Sequence, residues 1–363
     1  MKRLLVPLVA LLAAVSLAIA GCSSAAPAAS PTKAPEPAKA AEPTKAPAAA
    51  QPTAAPAASS KVNYPEKGKT ITIIVPVSAG GGSDVSTRVL IPALQKALGT
   101  NVEVVNKAGA NQQLGHTEFV KAKPDGYTIA MTNLPTTFTN YLDPDRKAIY
   151  NRQSFVPIAA PVLDPGIIVV KADTPYKDLK ELVEAAKAKP GEITIGATGL
   201  MTAPHLMLLQ LEKATGAKFN IVQFDKGAAD ATNALLGGHI QGQAGYIGDL
   251  FTQTKSGNVR ALAVADTERS PFLPNIPTMK ELGIDLTSYI PRGYSVQKDT
   301  PQEIVSILEN AFRAAANDPE VKKKQDEMGL TQKFLGSKEY GALWDKMEQD
   351  AKPLVDAIKA QAK

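Results

Sequence analysis

Seven short apolar runs, rich in β-branched residues, recur from residue 70 onward and alternate with stretches of helical spacing. Thr70–Val75 reads as a buried strand ended by Pro76, and Val102–Val105 as a second strand. Tyr127–Met131 is a third, introduced by the turn signal Pro124-Asp125-Gly126. Ile167–Val170, Ile193–Ile195, Phe219–Val222 and Val259–Val264 continue the series. Helix starts are marked by Thr174-Pro175 and by Thr300-Pro301-Gln302-Glu303, each a capping residue before a proline suited to the first turn. In the second, Glu303 stands at the capping-box position. A helix beginning near Asp84 contains Pro92, which predicts a kink or the end of its first segment. Strand and helix in alternation argue an α/β fold with mostly parallel sheets. The last 60 or so residues read as helical only, expected to pack back onto the first part of the fold. The roughly 300 residues from Lys61 exceed a usual single core, so one large or two smaller domains are expected.

The first 60 residues break this pattern. Lys2 and Arg3 precede an apolar run from Leu4 to Ala20, interrupted by Pro7 and Ser16, which reads as the basic and apolar regions of a secretory signal. Ile19-Ala20-Gly21-Cys22 resembles the bacterial lipobox, in which the signal is cut before a cysteine that becomes lipidated. That resemblance implies a signal peptide over residues 1–21 and lipidation at Cys22. It also implies an exported protein anchored in the cell envelope, facing the periplasm or the outer surface of the cytoplasmic membrane. An ordinary signal peptide or a single membrane anchor is the alternative, although a span needs about 20 apolar residues. Cys22 is the only cysteine, so no disulfide framework forms within the chain. Residues 23–60 are almost entirely Ala, Pro, Ser, Thr and Lys, a composition with too little bulky apolar surface to offset chain entropy. The expected result is a disordered leash, reaching roughly 100 Å when fully extended at about 3.1 Å per residue.

Charge removes several function classes. The formal net charge is +5, but five Lys/Arg and two Asp/Glu lie in the first 60 residues, leaving +2 for the rest. No basic stripe with interleaved aromatics is present, so nucleic acid is not an expected partner. His116, His205 and His239 lack metal-site spacing, and neither a metal nor a cofactor is expected. The chain has no Gly-x-Ser-x-Gly elbow. A hydrolase built from Ser78 or Ser83 with His205 and Asp249 is a remote alternative, and catalysis is not expected.

Three glycine-bearing strand-to-helix junctions carry the candidate chemistry. The first, Ser78-Ala79-Gly80-Gly81-Gly82-Ser83-Asp84, leads into a helix whose N–H groups and dipole suit an anion such as a carboxylate. It fits neither a phosphate-binding Walker loop nor a dinucleotide fingerprint. The plain reading is a tight turn, with Asp84 capping its helix rather than meeting an anionic ligand. The second, Gly109-Ala110-Asn111-Gln112-Gln113, is amide-rich. The third runs through Thr198, Gly199, Thr202 and His205. In open α/β sheets ligands bind beyond the carboxyl ends of strands, where these loops lie.

At these junctions the chain resembles the Bug/TctC-type extracytoplasmic solute receptors of tripartite tricarboxylate transporters. The matching segments are Ile74–Asp84, Lys123–Tyr127, Ala234–Ile240, Arg260–Val264 and Leu273–Thr278, in order and with similar spacing from about residue 65 to about 330. The resemblance implies a two-lobed periplasmic-binding-protein fold of the type II, Venus flytrap kind, hinged by two crossover segments near Ile158–Pro165 and Ile284–Gly293. It divides the chain into lobe 1 at 61–163 plus 286–363 and lobe 2 at 164–285. It implies capture of a small carboxylate between the lobes and delivery to membrane subunits of a transporter, by a monomer. Presentation of the closed form to a signalling partner is the alternative role. Carried over, the ligand-binding residues are Ser78 through Asp84, then Gly109, Asn111, Gln112 and Gln113. To these are added Asn133, Thr198, Gly199, Thr202 and His205, with Gly245 and Tyr246 on the far wall. The family's usual Phe-Asp pair becomes Ala244-Gly245, and its tryptophan becomes Pro291 ahead of Arg292-Gly293. With no aspartate at 245 a ligand amine loses its countercharge, so a non-amino di- or tricarboxylate is the expected ligand.

Overall fold

The computed structural model describes residues 62–361. Cys22, the signal-like segment and the Ala/Pro-rich tract lie outside the described residues.

The chain opens with β1 (Ile71–Val75), α1 (Gly82–Leu98), β2 (Val102–Asn106), α2 (Gln113–Phe119), β3 (Thr128–Asn133) and α3 (Thr136–Leu142). β1 runs parallel to β2 on one side and β3 on the other. Its side chains alternate as a strand requires. Ile71, Ile73 and Val75 pack with Leu90 and Leu94 of α1, while Ile74 faces Phe119, Phe138 and Trp344 on the other side. The sheet is therefore a middle layer between helices, and truncating one of these isoleucines to alanine would cost roughly 2–5 kcal/mol.

Strand β4 (Phe155–Lys171) links the two halves of the fold. Residues 155–165 pair with β9 (Tyr289–Gln297), and residues 166–171 pair with β7 (Gly242–Tyr246) and β8 (Val259–Ala265). Pro157, Pro161 and Pro165 cannot donate to the ladder, and the register with β9 slips between Pro157 and Ala159 and again before Val162. Bulged pairing of this kind bends a strand, which lets one segment serve two sheets. The second sheet is completed by β5 (Thr194–Ala197) and β6 (Asn220–Gln223), with order β4-β7-β5-β6. Helices α4 (Leu179–Ala188) and α5 (Ala203–Thr215) contribute to the core behind Ile168 and Val170. Helices α6 (Ala228–Leu236) and α7 (Ile247–Lys255) contribute behind Ile167 and Val169 on the opposite face. The result is a two-lobed α/β fold, as the sequence resemblance implied.

Several local expectations are corrected. The sheets are mixed, because β3–β9 and every pairing of β4 are antiparallel. α1 runs without a break past Pro92. Helix α4 starts four residues later than Thr174-Pro175 predicts. Thr174 Oγ1 instead donates to the Lys171 carbonyl, and Asp178 caps the helix by accepting the Glu181 N–H at 2.8 Å. The Thr300 capping box does not form either: Thr300 Oγ1 donates to Gln297 O, and Glu303 accepts the Val62 N–H. The carboxyl-terminal region is α8 (Gln302–Asn317), α9 (Pro319–Glu327), the short strand β10 (Gln332–Gly336) on β4, and α10 (Ser337–Gln361). α8 supplies Ile304, Leu308 and Phe312 to the core of the first lobe, and α10 supplies Tyr340 and Trp344.

Candidate functional site

Several strand ends and helix starts meet at a small, partly open cavity of about 30 Å³, room for roughly two water molecules. From the first lobe come Gly81, Gly82 and Ser83 at the start of α1, Asn111 and Gln112 before α2, and Asn133 with Thr136 around the start of α3. From the second come Thr198 after β5, Asp225 and Ala228 around the start of α6, and Tyr246 with Asp249 at the start of α7.

The local sequence explains the openness of two of these starts. α1 enters through Gly81 and α6 through Gly227, and neither helix has a side chain capping its first turn. Their free N–H groups and dipole ends are held together across the cleft: a Cβ placed on Gly81 would sit 3.5 Å from Ala229 N. Two positive helix ends facing each other favour an anion between them. The junction before α2 is held differently. Ala110, Asn111 and Gln112 all take positive φ, a run of left-handed non-glycine residues that surrounding contacts must enforce. Asn140 Nδ2 donates to Asn111 O at 2.7 Å, and Asn111 Nδ2 reaches across to Leu200 O at 3.0 Å.

Behind the cavity lies a buried ion cluster. Arg292 of β9, 1% exposed, donates through Nε and Nη2 to Asp164 of β4, through Nη2 to Asp249 at 3.0 Å, and through Nη1 to Ser83 Oγ at 2.7 Å. Its guanidinium carbon lies 5.9 Å from the Tyr246 ring centre. Burial works against the arginine's charge, and the carboxylates of Asp249 and Asp164 overcome it, so Arg292 stays cationic. Burial pushes the Asp164 carboxyl up to about 6 against the pull of Arg292, and Asp249 adds to the rise. Ser83 Oγ accepts from both Arg292 and Asn133 Nδ2, leaving its own O–H free to donate.

Of the residues named from sequence, Gly81, Gly82, Ser83, Asn111, Gln112, Asn133, Thr198 and Tyr246 come together on the cavity wall. Ser78 closes the lobes instead, its N–H donating to Lys226 O at 2.9 Å and its hydroxyl to Asp230. Ala79 and Gly80 line a neighbouring cavity of about 400 Å³ that shares Gly81, Gly82, Ala228 and Asp249 with the first. Asp84 does not cap α1 as the sequence predicts: its carboxylate accepts the N–H of Gly80, which precedes the cap residue, and pairs with Arg88 at 3.0 Å. Burial works to raise this carboxyl, and the bonds from Arg88, Gly80 and Asn106 outweigh it, holding it below the usual range. Gln113 donates to Arg146 O, and Gly109 packs against Leu114. Gly199 abuts Asn111 and Asp225. Thr202 and His205 serve α5: Thr202 Oγ1 accepts the His205 N–H, and His205 Nδ1 accepts the Met201 N–H at 3.0 Å. Gly245 pairs with Ile167 inside β7 and faces Leu250.

Asp225, Asp249 and the Arg292–Asp164 pair were not singled out as ligand-facing from sequence. Gly245 leaves no carboxylate at its own position, and Asp249, four residues later at the start of α7, is among the residues on the cavity wall. The sequence signal was Arg292 itself, the one charged residue of β9 (Tyr289–Gln297).

Comparison with known proteins then places the chain. The family profile described as the tripartite tricarboxylate transporter family receptor, TctC, matches residues 86–359. A Cupriavidus necator protein described as UPF0065 protein in gbd 5'region is 30% identical over 296 residues, covering 80% of this chain and 88% of its own length. Protein BugT of Bordetella pertussis is 33% identical over 221 residues, covering 61% and 67% respectively. The solved structure of the periplasmic binding protein BugD superposes with a TM-score of 0.73 at 29% identity, covering 81% of this chain and 98% of that one.

Proposed function

The chain belongs to the TctC family of tripartite tricarboxylate transporter receptors, and from that premise we propose that it captures a small carboxylate between its lobes and delivers it to the transporter's membrane subunits. One observation supports this reading above the others: two glycine-entered, uncapped helix starts, one from each lobe, face the same cavity. A carboxylate between them would turn mutual repulsion of helix ends into attraction and so drive closure. Ser83 and Thr198 would add hydroxyl donors, one from each lobe. Di- and tricarboxylates lead the candidates because they can engage both lobes at once. The lobes are placed at 61–163 with 286–363, and at 164–285. Their closure is the working motion, with no chemical step. The receptor is exported, and lipidation at Cys22 would keep it beside its membrane partners. Among the described residues no helix is long and apolar enough to cross a membrane.

A calorimetric panel of mono-, di- and tricarboxylates against the purified protein tests this. A ligand at 100 times its Kd should stabilise the fold by about 2.7 kcal/mol. Thr198→Val should weaken the best ligand by about 1–3 kcal/mol if its hydroxyl meets a charged oxygen. Unchanged affinity in that variant would place the ligand elsewhere.

A further inference from the structure

Four large apolar side chains stand exposed among the described residues: Leu114, Ile149, Leu200 and Leu282. Apolar residues scattered singly over a surface carry no meaning, whereas a gathered patch marks an interaction site. Three of the four gather. Leu114, Ile149 and Leu200, at 52%, 61% and 50% exposure, surround the turn at residues 109–113. Leu114 follows that turn and folds back on it, its Cδ2 3.5 Å from where a Cβ on Gly109 would stand. The Leu200 carbonyl accepts from Asn111 Nδ2 at 3.0 Å. The loop leading to Ile149 is held at Arg146, whose carbonyl accepts from Gln113 Nε2 at 2.8 Å and whose Nη1 donates to Ala110 O at 3.4 Å.

The backbone marks the same place. Six non-glycine residues among those described take positive φ, and five of them lie in this turn or in the two loops tied to it: Ala110, Asn111, Gln112, Lys147 and Met201. Left-handed non-glycine residues persist only where their surroundings enforce them, and such strain collects at functional sites. Lys147, two residues before Ile149, is exposed, and its ammonium has no partner among the described residues. Its neighbour Arg146 is paired with Asp143. With the lobes divided as above, Leu200 belongs to one lobe and Leu114 and Ile149 to the other. The patch is therefore complete only when the lobes meet.

We propose that Leu114, Ile149 and Leu200 form the docking surface for a membrane-spanning subunit of the transporter, which meets them with an apolar surface bearing a carboxylate opposite Lys147. This rests on the delivery reading above and adds the surface through which delivery occurs. Two observations choose the partner. A patch assembled from both lobes reports that they are shut, and a protein surface of fixed shape reads that registration where a fluid bilayer does not. A second copy of this chain would bring a second Lys147 to the patch, a like charge where a carboxylate gives attraction.

Photocrosslinking in the cells that encode the full-length protein tests the placement. The photoreactive residue p-benzoylphenylalanine replaces Leu114, Leu200 or, as the control beside α4, Leu282. Leu114 and Leu200 should each yield an adduct with one and the same protein, identified by its peptides as membrane-spanning, and Leu282 should yield none. Adding Lys147→Glu to the Leu114 probe should cut its adduct by about fivefold or more. Adding Leu200→Glu should do the same, because both lobes build one surface. Adducts with lipid or with a second copy of this chain overturn the proposal, and so does equal capture from Leu282. A lysine-reactive crosslinker applied to the wild-type protein in the same cells reads delivery separately. If it captures the membrane-spanning protein and the two leucine probes do not, the placement falls and the delivery reading stands. If neither captures it, both fall. The adducts of the two single probes decide the matter, should a doubly substituted chain fail to fold.

Discussion

The starts of α1 and α5 look alike in sequence and do opposite things. Each follows a glycine-bearing loop at the end of a strand, and each was read from sequence as facing a ligand. α1 enters through Gly81, with no side chain on its first N–H groups, and those groups border the cavity. α5 enters through Thr202, whose hydroxyl accepts from His205 N, while the His205 ring accepts from Met201 N. One junction keeps its donors free and the other consumes them. The difference lies in the capping residue: a glycine cap leaves the first turn unsatisfied, and a threonine cap does not. A glycine-rich loop is therefore a better mark of an anion site when no Ser, Thr, Asp or Asn stands at the cap itself.

The sharpest break in this comparison is Gly82→Ala. A Cβ there would lie 2.0 Å from Asp249 Oδ1, 3.0 Å from Gly248 O and 3.0 Å from Arg292 Nη2, pressing on the start of α7 and on the buried ion cluster. Gly82 is the first residue of α1, and alanine is a better helix former, so the helix itself should form at least as well. Closure should suffer instead, with affinity for the best carboxylate falling at least about tenfold, or 1.4 kcal/mol. Calorimetry beside a thermal melt of the free protein separates the two effects. Retained affinity would mean that the α1 start does not close on the ligand. The position matters, because the neighbouring Gly81 has φ of −78° and its Cβ would meet only ordinary contacts.

At α5 the opposite split is expected. Thr202→Ala removes the cap and should cost about 1 kcal/mol of stability. Ligand affinity should stay within about twofold, since Thr202 is not on the cavity wall. A melt that falls by about 1–2 °C with an unchanged Kd would confirm that α5's donors are spent internally. A large loss of affinity would instead give α5 a share in binding.

Most of the strands were legible because apolar runs bounded by turn residues leave few alternatives, as at β1, β2 and β8. β4 was seen only in its second half, since three prolines in its first half argue against a central strand. β7 (Gly-Gln-Ala-Gly-Tyr) and β9, with Pro291-Arg292-Gly293 in its middle, carry no apolar alternation. Both are strands because neighbours on either side hold them, which is tertiary context. The site divides in the same way. Gly81 to Ser83, Asn111, Gln112 and Thr198 were legible as loop residues at strand ends. The Arg292–Asp164–Asp249 cluster joins positions 128 and 43 residues apart, and nothing local announces it.

Acid should separate the two helix starts a second time, with a smaller effect. Burial lowers the His205 pKa from its ordinary value near 6.5, with Glu212 opposing. The unfolded chain therefore binds the proton more readily, and this group's contribution to stability is lost as pH falls through its folded pKa. A protonated Nδ1 cannot accept the Met201 N–H, so that bond opens with it. Asp84 holds the Gly80 N–H, and its pKa lies below the usual carboxylate value of 3.8. Its contribution persists until pH drops beneath that value. His116, pushed by burial down to about 4, adds a global loss of stability over part of the same range. Amide exchange resolved by residue distinguishes local opening from that global term. Between the ordinary value of 6.5 and the lower folded pKa of His205, protection at Met201, corrected for intrinsic rates, should fall by up to about tenfold per pH unit, and then level off. Protection at Gly80 should follow only the global change. If both amides lose protection together from pH 6.5 downward, the α5 cap is not held by His205. The contrast between the two helix starts would then rest on Thr202 alone.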